Sequence, residues 1–372
     1  MERFFPRRPM PAPVLYVAIT NHGFGHATRV ASIAATVKAL APEVELIFAT
    51  TAPRWLLAEY LPWEFEYRPV AFDIGVIQPD SLTLDRPATL AQLQQIQATQ
   101  EQRLAAEVPF LQERWVGLVL ADIPPLATAL AQAAGVPCWM VGNFGWDFIY
   151  RALGEEFGAV ADWVGGCFAQ CDRLFRLPFH EPMAAFPVLQ EVGLTGGTPR
   201  YAAEDLRRRW QIETPQEQTI LLTFGGLGLR TIPYDQLAAW PDWQFLTFDQ
   251  TIPDLPNLKA VPRQGFRPVD VMPLCSRVVC KPGFSTFAEA CRLDLPIVTL
   301  TREDFAEGPV LVAGMQDHNW HQVIDPESFY QGDWSFLTQP LHPPRTDQPV
   351  DKQGNEQVAR AILDYLQPMK PA

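Results

Sequence analysis

The feature that most constrains the fold of this chain is a repeated alternation between short apolar runs and amphipathic segments. The run VLYVAIT at 14–20 is continuous in β-branched and aromatic residues, which is typical of a strand buried on both faces of a parallel sheet. Apolar residues then recur at helical spacing over 26–40. The alternation continues, which predicts βαβ units in a doubly wound sheet. Further strands are predicted at 45–51, 116–122 and 136–143, and further helices at 53–61, 87–113 and 124–135.

The alternation stops around 178–200, where proline and glycine are frequent, and this stretch predicts a linker. The pattern then restarts, so we expect an α/β chain with two Rossmann-like doubly wound domains, 1–195 and 196–353, facing each other across a cleft. A final amphipathic helix within 354–372 is expected to pack back on the first domain. In the second half, strands are predicted at 219–226, 243–249, 276–283 and 296–302, a helix at 284–293, and the apolar stripe of the last helix at Val358, Ala359, Ile362 and Leu366.

Composition narrows the classes of partner. A net charge of −13 argues against a nucleic-acid partner, which needs a basic surface. The six cysteines form no CxxC pair and favour buried thiols in a reducing, cytoplasmic compartment. The apolar run at 14–20 is interpreted as a strand rather than a signal-peptide core, and the preceding FFPRR leaves contact with a membrane surface open.

The loop NHGFGHATR at 21–29 follows the first predicted strand. A dinucleotide fold would place a third glycine where Thr28 stands and an acidic residue where the second strand ends in 49–51, so a nicotinamide cofactor is disfavoured. His22 and His26 titrate near neutrality, and either can take a proton from a sugar hydroxyl. The alternative is a histidine that caps its own helix. The acceptor-side candidates in this loop are Asn21, Gly23 and Gly25.

The second candidate motif is KPGFSTFAEA at 281–290. Lys281 and Gly283 lie at the end of a predicted strand, and Ser285 and Thr286 begin a helix whose N–H groups suit a phosphate. Glu289, one turn later, can accept hydrogen bonds from two ribose hydroxyls. Two alternatives stay open. Thr286 and Glu289 also fit a capping box, and GFSTF resembles half of the GxSxG elbow of an acyl hydrolase.

Polar residues follow several other predicted strands. Gly225 and Gly226 form either a phosphate nest or a tight turn, and Asp304 and Glu307 either meet sugar hydroxyls or open a helix. Residues at two strand ends of the first domain suit a sugar acceptor, although a core tryptophan and a turn aspartate would look the same. These residues are Asp122, Asn143, Trp146 and Asp147.

No metal site is expected. His318 and His321 lack the spacing of an HExxH motif, and no two aspartates stand in a D-x-D pair. A diphosphate would therefore be held by helix dipoles and backbone N–H groups.

Taken together, these motifs resemble the metal-independent glycosyltransferases of the two-domain GT-B fold. The likeness is strongest to the glycosyltransferase-like N-terminal half of plant-type arabinokinases and weaker to the lipid II-forming (family 28) glycosyltransferases. No counterpart of the kinase half is present, so sugar phosphorylation is not expected. The stretches that carry the resemblance are 21–29, 121–150, 176–186 and 281–311.

The resemblance implies roles for individual positions. His26 lies at the acceptor side, Ser285, Thr286 and Glu289 bind the donor diphosphate and ribose, and Asp304 or Glu307 contacts the donor sugar. The implied function is transfer of a sugar from a nucleotide-diphosphate-sugar, UDP-linked, to a hydroxyl acceptor, with no further cofactor. Two alternatives remain: a non-catalytic nucleotide or sugar sensor, and a GT-B-shaped epimerase or hydrolase.

Overall fold

The computed structural model describes residues 12–78, 84–225, 232–302, 304–332 and 334–366. Two sheets, all of whose strand pairs are parallel, lie within these residues. The strands of the first are β1 Val14–Ile19, β2 Glu45–Ala49, β3 Glu66–Arg68, β4 Val116–Asp122, β5 Cys138–Gly142, β6 Arg173–Arg176 and β7 Leu189–Glu191. Those of the second are β8 Thr219–Thr223, β9 Gln244–Thr247, β10 Leu258–Ala260, β11 Arg277–Cys280, β12 Ile297–Leu300 and β13 His321–Ile324.

Helices lie between many of the consecutive strands, and two more follow the last strand. Those of the first half are α1 Gly25–Leu40, α2 Arg54–Tyr60, α3 Arg86–Ala98, α4 Gln100–Glu113, α5 Leu126–Ala134, α6 Trp146–Leu153 and α7 Gly158–Phe168. Those of the second half are α8 Ala203–Trp210, α9 Pro268–Val271, α10 Phe284–Arg292, α11 Glu307–His318, α12 Pro326–Gln331 and α13 Gly354–Leu366.

Each sheet reverses its strand order at one point. The first runs β3-β2-β1-β4-β5-β6-β7, and the second runs β10-β9-β8-β11-β12-β13. Ligands of open parallel sheets bind at such reversals, outside the carboxyl ends of the strands. The reversals fall between β1 and β4 and between β8 and β11. The loop at 21–29 follows β1, and the motif at 281–290 follows β11. The predicted α/β class with two doubly wound sheets is confirmed.

The core explains why β1 is continuously apolar. All six of its residues are buried, because successive side chains point into different apolar clusters on the two faces of the sheet. One of these clusters continues into the second half of the chain, where α10 packs against α1. The third cluster covers the other face of the second sheet. The two sheets therefore share one apolar layer.

The C-terminal helix α13 lies against α1 of the first sheet, not against the second sheet that precedes it in the chain. Its buried stripe is Val358, Ala359, Ile362 and Leu363. The segment 351–354, which leads into α13, lies beside the linker between the two sheets. The N–H of Leu194 in the linker donates to the carbonyl oxygen of Asp351 at 2.7 Å.

Two sequence predictions are wrong in detail. The glutamine-rich helix expected over 87–113 is two helices, α3 and α4, separated at Thr99. The backbone of Thr99 leaves the helical conformation, with φ −108° and ψ 10°, and its hydroxyl donates to the carbonyl oxygen of Gln95 at 2.8 Å. The expected linker around 178–200 contains β7, a three-residue edge strand whose residues are exposed or half-buried and carry no apolar signal.

The six cysteines are buried, unpaired thiols, as the sequence predicts. Within the described ranges, no helix combines the length and apolarity needed to cross a bilayer.

Candidate active site

The first glycine-rich loop begins where β1 ends, beside the end of β4. The N–H of Thr20 donates to the carbonyl oxygen of Asp122 at 3.0 Å, which continues the pairing of the two strands past their ends. Asn21 does not face a cavity. Its side chain holds neighbouring loops together, with Oδ1 accepting from the N–H of Thr51 at 3.0 Å and Nδ2 donating to the carbonyl oxygen of Asp73 at 3.1 Å. Gly23 adopts φ +61°, a conformation that favours glycine.

His26 lies in the first turn of α1 and pairs with Asp122. Its Nδ1 is 2.8 Å from Asp122 Oδ1, and both side chains are buried. Nδ1 also lies 3.0 Å from Arg29 Nη2. A guanidinium only donates, so Nδ1 cannot accept from Arg29 while it donates to the carboxylate. We assign the proton to Nδ1, directed at Asp122, which leaves Nε2 with its lone pair.

Arg29 is the residue of this cluster that the sequence prediction missed. It lies three residues after His26 on α1 and is 2% exposed. Its Nη2 donates to Asp122 Oδ1 at 2.5 Å, and its Nε also bonds that carboxylate. Burial alone would raise the pKa of Asp122, but the charge of Arg29, followed by that of His26, outweighs burial and lowers it. The spacing of three on one helix face was the available signal.

The cluster extends across the domains through Asn143, at the end of β5. Asn143 Oδ1 accepts from Arg29 Nη1 at 2.8 Å, and its Nδ2 donates to Glu307 Oε1 at 2.8 Å. Glu307 is the first residue of α11 in the second domain. A continuous polar chain therefore joins His26 to Glu307. Asp304, the other sequence candidate for this role, has a side chain 46% exposed and lies 3.6 Å from Arg302 Nε.

His22 has different surroundings from His26. Its ring stacks on Phe305 at 5.8 Å between centroids and meets the edge of Trp146 at 5.2 Å. Burial, then the charges of His26, Lys281 and Arg302, lower its pKa well below the usual value. His22 is therefore held in its neutral form near pH 7.

Five of the predicted acceptor-side residues line neither of the two cavities described below, namely Asn21, Asp122, Asn143, Trp146 and Asp147. Trp146 is fully buried behind His22, and its Nε1 donates to Thr20 Oγ1 at 3.0 Å. Asp147 lies in the first turn of α6 and faces α7. A Cβ built on Gly165 of α7 would stand 3.9 Å from the Cβ of Asp147.

The second motif forms the first turn of α10. Gly283 is the N-cap residue and no side chain caps the helix, so the capping-box interpretation is wrong: Thr286 is the third helical residue. Ser285 Oγ donates to the carbonyl oxygen of Gly25 at 2.8 Å. Ser285 can approach this closely because Gly25 has no side chain. A Cβ at Gly25 would stand 3.3 Å from Ser285 Oγ. The two glycine-rich motifs are therefore in direct contact.

Glu289 is buried one turn later in α10. Its Oε1 accepts from the N–H of Gly197 at 2.9 Å, and it also bonds the hydroxyl of Tyr60 in α2. Burial raises the pKa of Glu289 to about 7, and the N–H of Gly197 and the charge of Arg267 offset part of that effect. In a capping box, the carboxylate of Glu289 would bond the N-terminus of its own helix. It instead bonds Gly197 in the linker and Tyr60 in the first domain.

Two adjoining cavities lie between the domains. The larger, of about 530 Å³, has aromatic walls and contains Tyr60, Ser285, Thr286 and Glu289 in its lining. The smaller, of about 120 Å³, contains both histidines, Lys281 and Glu307. Residues of the two motifs and of the turn after β8 line both cavities, namely Phe24, Gly25, Thr223, Gly225, Ser285 and Thr286.

Gly225 completes the turn after β8, with φ +79°. A Cβ there would stand 3.3 Å from Lys281 Cε, so the lysine stem lies over this turn. Gly226 lies outside the described residues. Within the described part of the chain, no group of three or more His, Cys, Asp and Glu side chains is placed to hold a metal ion.

Comparison with known proteins identifies the architecture. No protein-family profile matches the chain. Over 309 residues it is 28% identical to an L-arabinokinase from Arabidopsis thaliana. The match covers 79% of this chain and 28% of that protein, so the chain spans little more than a quarter of the relative's length.

The calicheamicin glycosyltransferase CalG4 superposes with a TM-score of 0.62 at 14% identity, over 97% of this chain and 99% of that one. The chain has the GT-B fold. A GT-B-fold UDP-glucosyltransferase from Polygonum tinctorium gives a TM-score of 0.62 at 11% identity, covering 96% and 94% of the two chains. A UDP-glucose: anthocyanidin 3-O-glucosyltransferase solved with UDP gives 0.57 at 12% identity, covering 95% and 93%. The neighbours of this GT-B chain thus include UDP-sugar transferases.

Proposed function

We propose that this protein transfers a sugar from a nucleoside-diphosphate sugar, UDP-linked, to a hydroxyl acceptor. One observation carries the proposal. His26 of the first domain, which Asp122 holds from behind, and the first turn of α10 in the second domain line the same small cavity. A base and an anion-binding helix terminus on opposite sides of one cavity are what a displacement at a sugar carbon requires. UDP as the nucleotide is supported by the UDP-dependent GT-B neighbours.

The proton path begins at the acceptor. The acceptor oxygen forms a bond to the anomeric carbon of the sugar while its proton passes to His26 Nε2. Asp122 stabilises the resulting imidazolium through Nδ1–H. The bond between the anomeric carbon and the phosphate oxygen breaks, and the nucleoside diphosphate leaves with that electron pair.

The leaving diphosphate is held by the second domain. The free N–H groups of the first turn of α10, the hydroxyl of Thr286 and the cation of Lys281 surround the space where its charge develops. We propose that these groups suffice without a metal ion or another cofactor. Treatment with EDTA should then leave turnover unchanged, and a loss of turnover reversed by added Mg²⁺ would contradict metal independence.

The test is a panel of UDP-, GDP- and dTDP-sugars, with and without hydroxyl acceptors. Nucleotide release and the glycosylated product are followed by mass spectrometry. His26→Ala should lower turnover by about 10²–10⁴-fold while donor affinity stays near that of the wild type. Release that survives His26→Ala combined with His22→Ala would overturn the base assignment.

The same panel separates the rival functions. Binding without release under every condition indicates a sensor, release without acceptor indicates a hydrolase, and a changed sugar on the same nucleotide indicates an epimerase. We also propose a cytoplasmic location, which the six buried unpaired thiols support.

A further inference from the structure

The smaller cavity is lined by more cationic than anionic groups. Lys281, Arg302 and Glu307 of the second domain all line it. A third cation, Arg29, also lines the cavity, but its guanidinium is already bonded to Asp122 and Asn143. The carboxylate of Glu307 is bonded to Asn143. The second domain thus places two cations and one carboxylate on the lining of this cavity.

The two cations occupy different places along the sheet edge. They follow β11 and β12, which are neighbours paired in register at Cys280 and Thr299. The stem of Lys281 leans over the turn at Gly225, a residue that lines both cavities. Arg302 lies one strand further from the reversal of the second sheet. The two cations are thus separated along the sheet edge, with Lys281 beside the proposed diphosphate site and Arg302 beyond it.

Arg302 is fixed by its surroundings. Its side chain is 4% exposed, and its guanidinium carbon stands 4.4 Å from the centre of the Phe305 ring. Phe305 stacks in turn on His22. The nearby carboxylate of Asp304 is largely outside, at 46% exposure. Because the cation is withdrawn from solvent, salt screens its field only weakly inside the cavity.

We propose that the transferred sugar carries a carboxylate, as in a uronic acid, and that Arg302 binds that carboxylate. This inference rests on the proposed function. A planar guanidinium fits a carboxylate with two parallel hydrogen bonds, which a neutral hydroxymethyl group cannot accept equally well. Arg302 belongs to the domain that holds the diphosphate, so it stays with the donor and not with the acceptor. The Glu307 carboxylate remains available to sugar hydroxyls.

His22 supports Arg302 through Phe305. Its ring stacks on Phe305 and contacts Trp146, and it also bonds the backbone of Val76. Its lowered pKa keeps the ring neutral, so His22 adds no charge beside the guanidinium.

The experiment compares matched donors by titration calorimetry on the full chain. UDP-glucuronate and UDP-glucose differ only in the carboxylate at C6, and GDP-mannuronate and GDP-mannose repeat the comparison for a second nucleotide. The wild type should bind the uronate at least about tenfold more tightly, since a hydrogen bond to a charged group contributes that much. Arg302→Gln should abolish this preference and leave the affinity for the neutral sugar within about threefold.

Arg302→Lys keeps the charge but loses the paired geometry, so it should retain only part of the preference. Equal or tighter binding of the neutral sugar by the wild type would overturn the uronate proposal, whether or not the Arg302 variants fold. In that case turnover of UDP-glucose would leave the transferase proposal standing. If neither donor of either pair binds or turns over, the transferase proposal fails together with the uronate proposal. A preference that survives Arg302→Gln would move the carboxylate site to another cation.

Discussion

Ser285 Oγ donates to the carbonyl oxygen of Gly25 at 2.8 Å, although the two residues are 260 positions apart. The bond joins the first turn of α10 to the first turn of α1, so the two helix N-termini approach each other across the domains. Both helices also share the apolar layer between the sheets. The geometry of the candidate site therefore depends on how the domains meet.

Replacing Ser285 with alanine should weaken donor binding. The variant loses the cross-domain hydrogen bond that joins the two sides of the site, worth about 1 kcal/mol, so KM for the donor should rise roughly fivefold. Steady-state kinetics with saturating acceptor measure the change. Ser285→Thr keeps the hydroxyl and is the control. An unchanged KM in the alanine variant would remove Ser285 from the donor site.

The buried pair of Arg29 and Asp122 should respond as a unit. Asp122→Asn leaves the guanidinium without its counter-charge, which should cost about 3–5 kcal/mol of unfolding free energy. Arg29→Met combined with Asp122→Asn should cost less than the sum of the single variants. Urea denaturation of the four proteins gives the coupling energy, expected at about 1–3 kcal/mol. Additive effects would mean that the two side chains do not stabilise each other.

Stability should fall as pH rises through the range in which Glu289 is protonated only in the folded protein. Its pKa is about 7 when folded against 4.5 for an ordinary glutamate. From about pH 4.5 upward the unfolded chain loses this proton first, so unfolding becomes more favourable until about pH 7 and then levels off. The contribution is of the order of 3 kcal/mol at most.

Glu289→Gln tests this sign. The amide oxygen can still accept from the N–H of Gly197, but the proton is gone. The unfolding free energy of the wild type minus that of the variant should decrease between pH 4.5 and 7 and stay constant above. Asp73, whose pKa burial raises to about 6, acts in the same direction and is present in both proteins. A difference that rises with pH would contradict the assignment.

Gly75 should tolerate no side chain. Its φ is +58°, and a Cβ there would stand 2.5 Å from His22 Cβ and 2.9 Å from the indole of Trp146. Gly75→Ala should cost about 3 kcal/mol and disturb His22. Gly135 has φ +77° with no atom within 4 Å of a built Cβ, so Gly135→Ala should cost only about 1–2 kcal/mol. Thermal unfolding of both variants separates the clash from the backbone strain, and equal losses would rule out the clash.

The C-terminal helix should contribute to the stability of the first domain. Ile362 is fully buried against α1, and Ile362→Ala should lower the unfolding free energy by about 2–5 kcal/mol. Arg360 is exposed on the same helix, so Arg360→Ala should change it by less than about 0.5 kcal/mol. Denaturant titration of both variants checks the prediction. A small effect of Ile362→Ala would mean that α13 is only loosely attached.

Several elements were predictable because their signal is local. β1 is a continuous apolar run, and α1 follows with the period of a helix, so burial on two faces can be inferred without the fold. α10 and α13 were found in the same way. β7 was missed because a three-residue edge strand gains its pairing from β6 and has no apolar pattern of its own. The break at Thr99 is a change of backbone conformation at one residue within a long helical pattern.

By itself, the sequence determined the succession of buried strands and helices and the glycine-rich turn that follows a strand in each half. These features depend on apolar periodicity and on backbone freedom, which neighbouring residues encode. Only the tertiary structure decided that His26, and not His22, pairs with Asp122, since β1 and β4 are adjacent although 96 residues separate the two side chains. It also decided that Glu289 bonds Gly197 and not its own helix terminus. The physical reason is that hydrogen bonds and buried charges depend on distances that folding sets between remote segments.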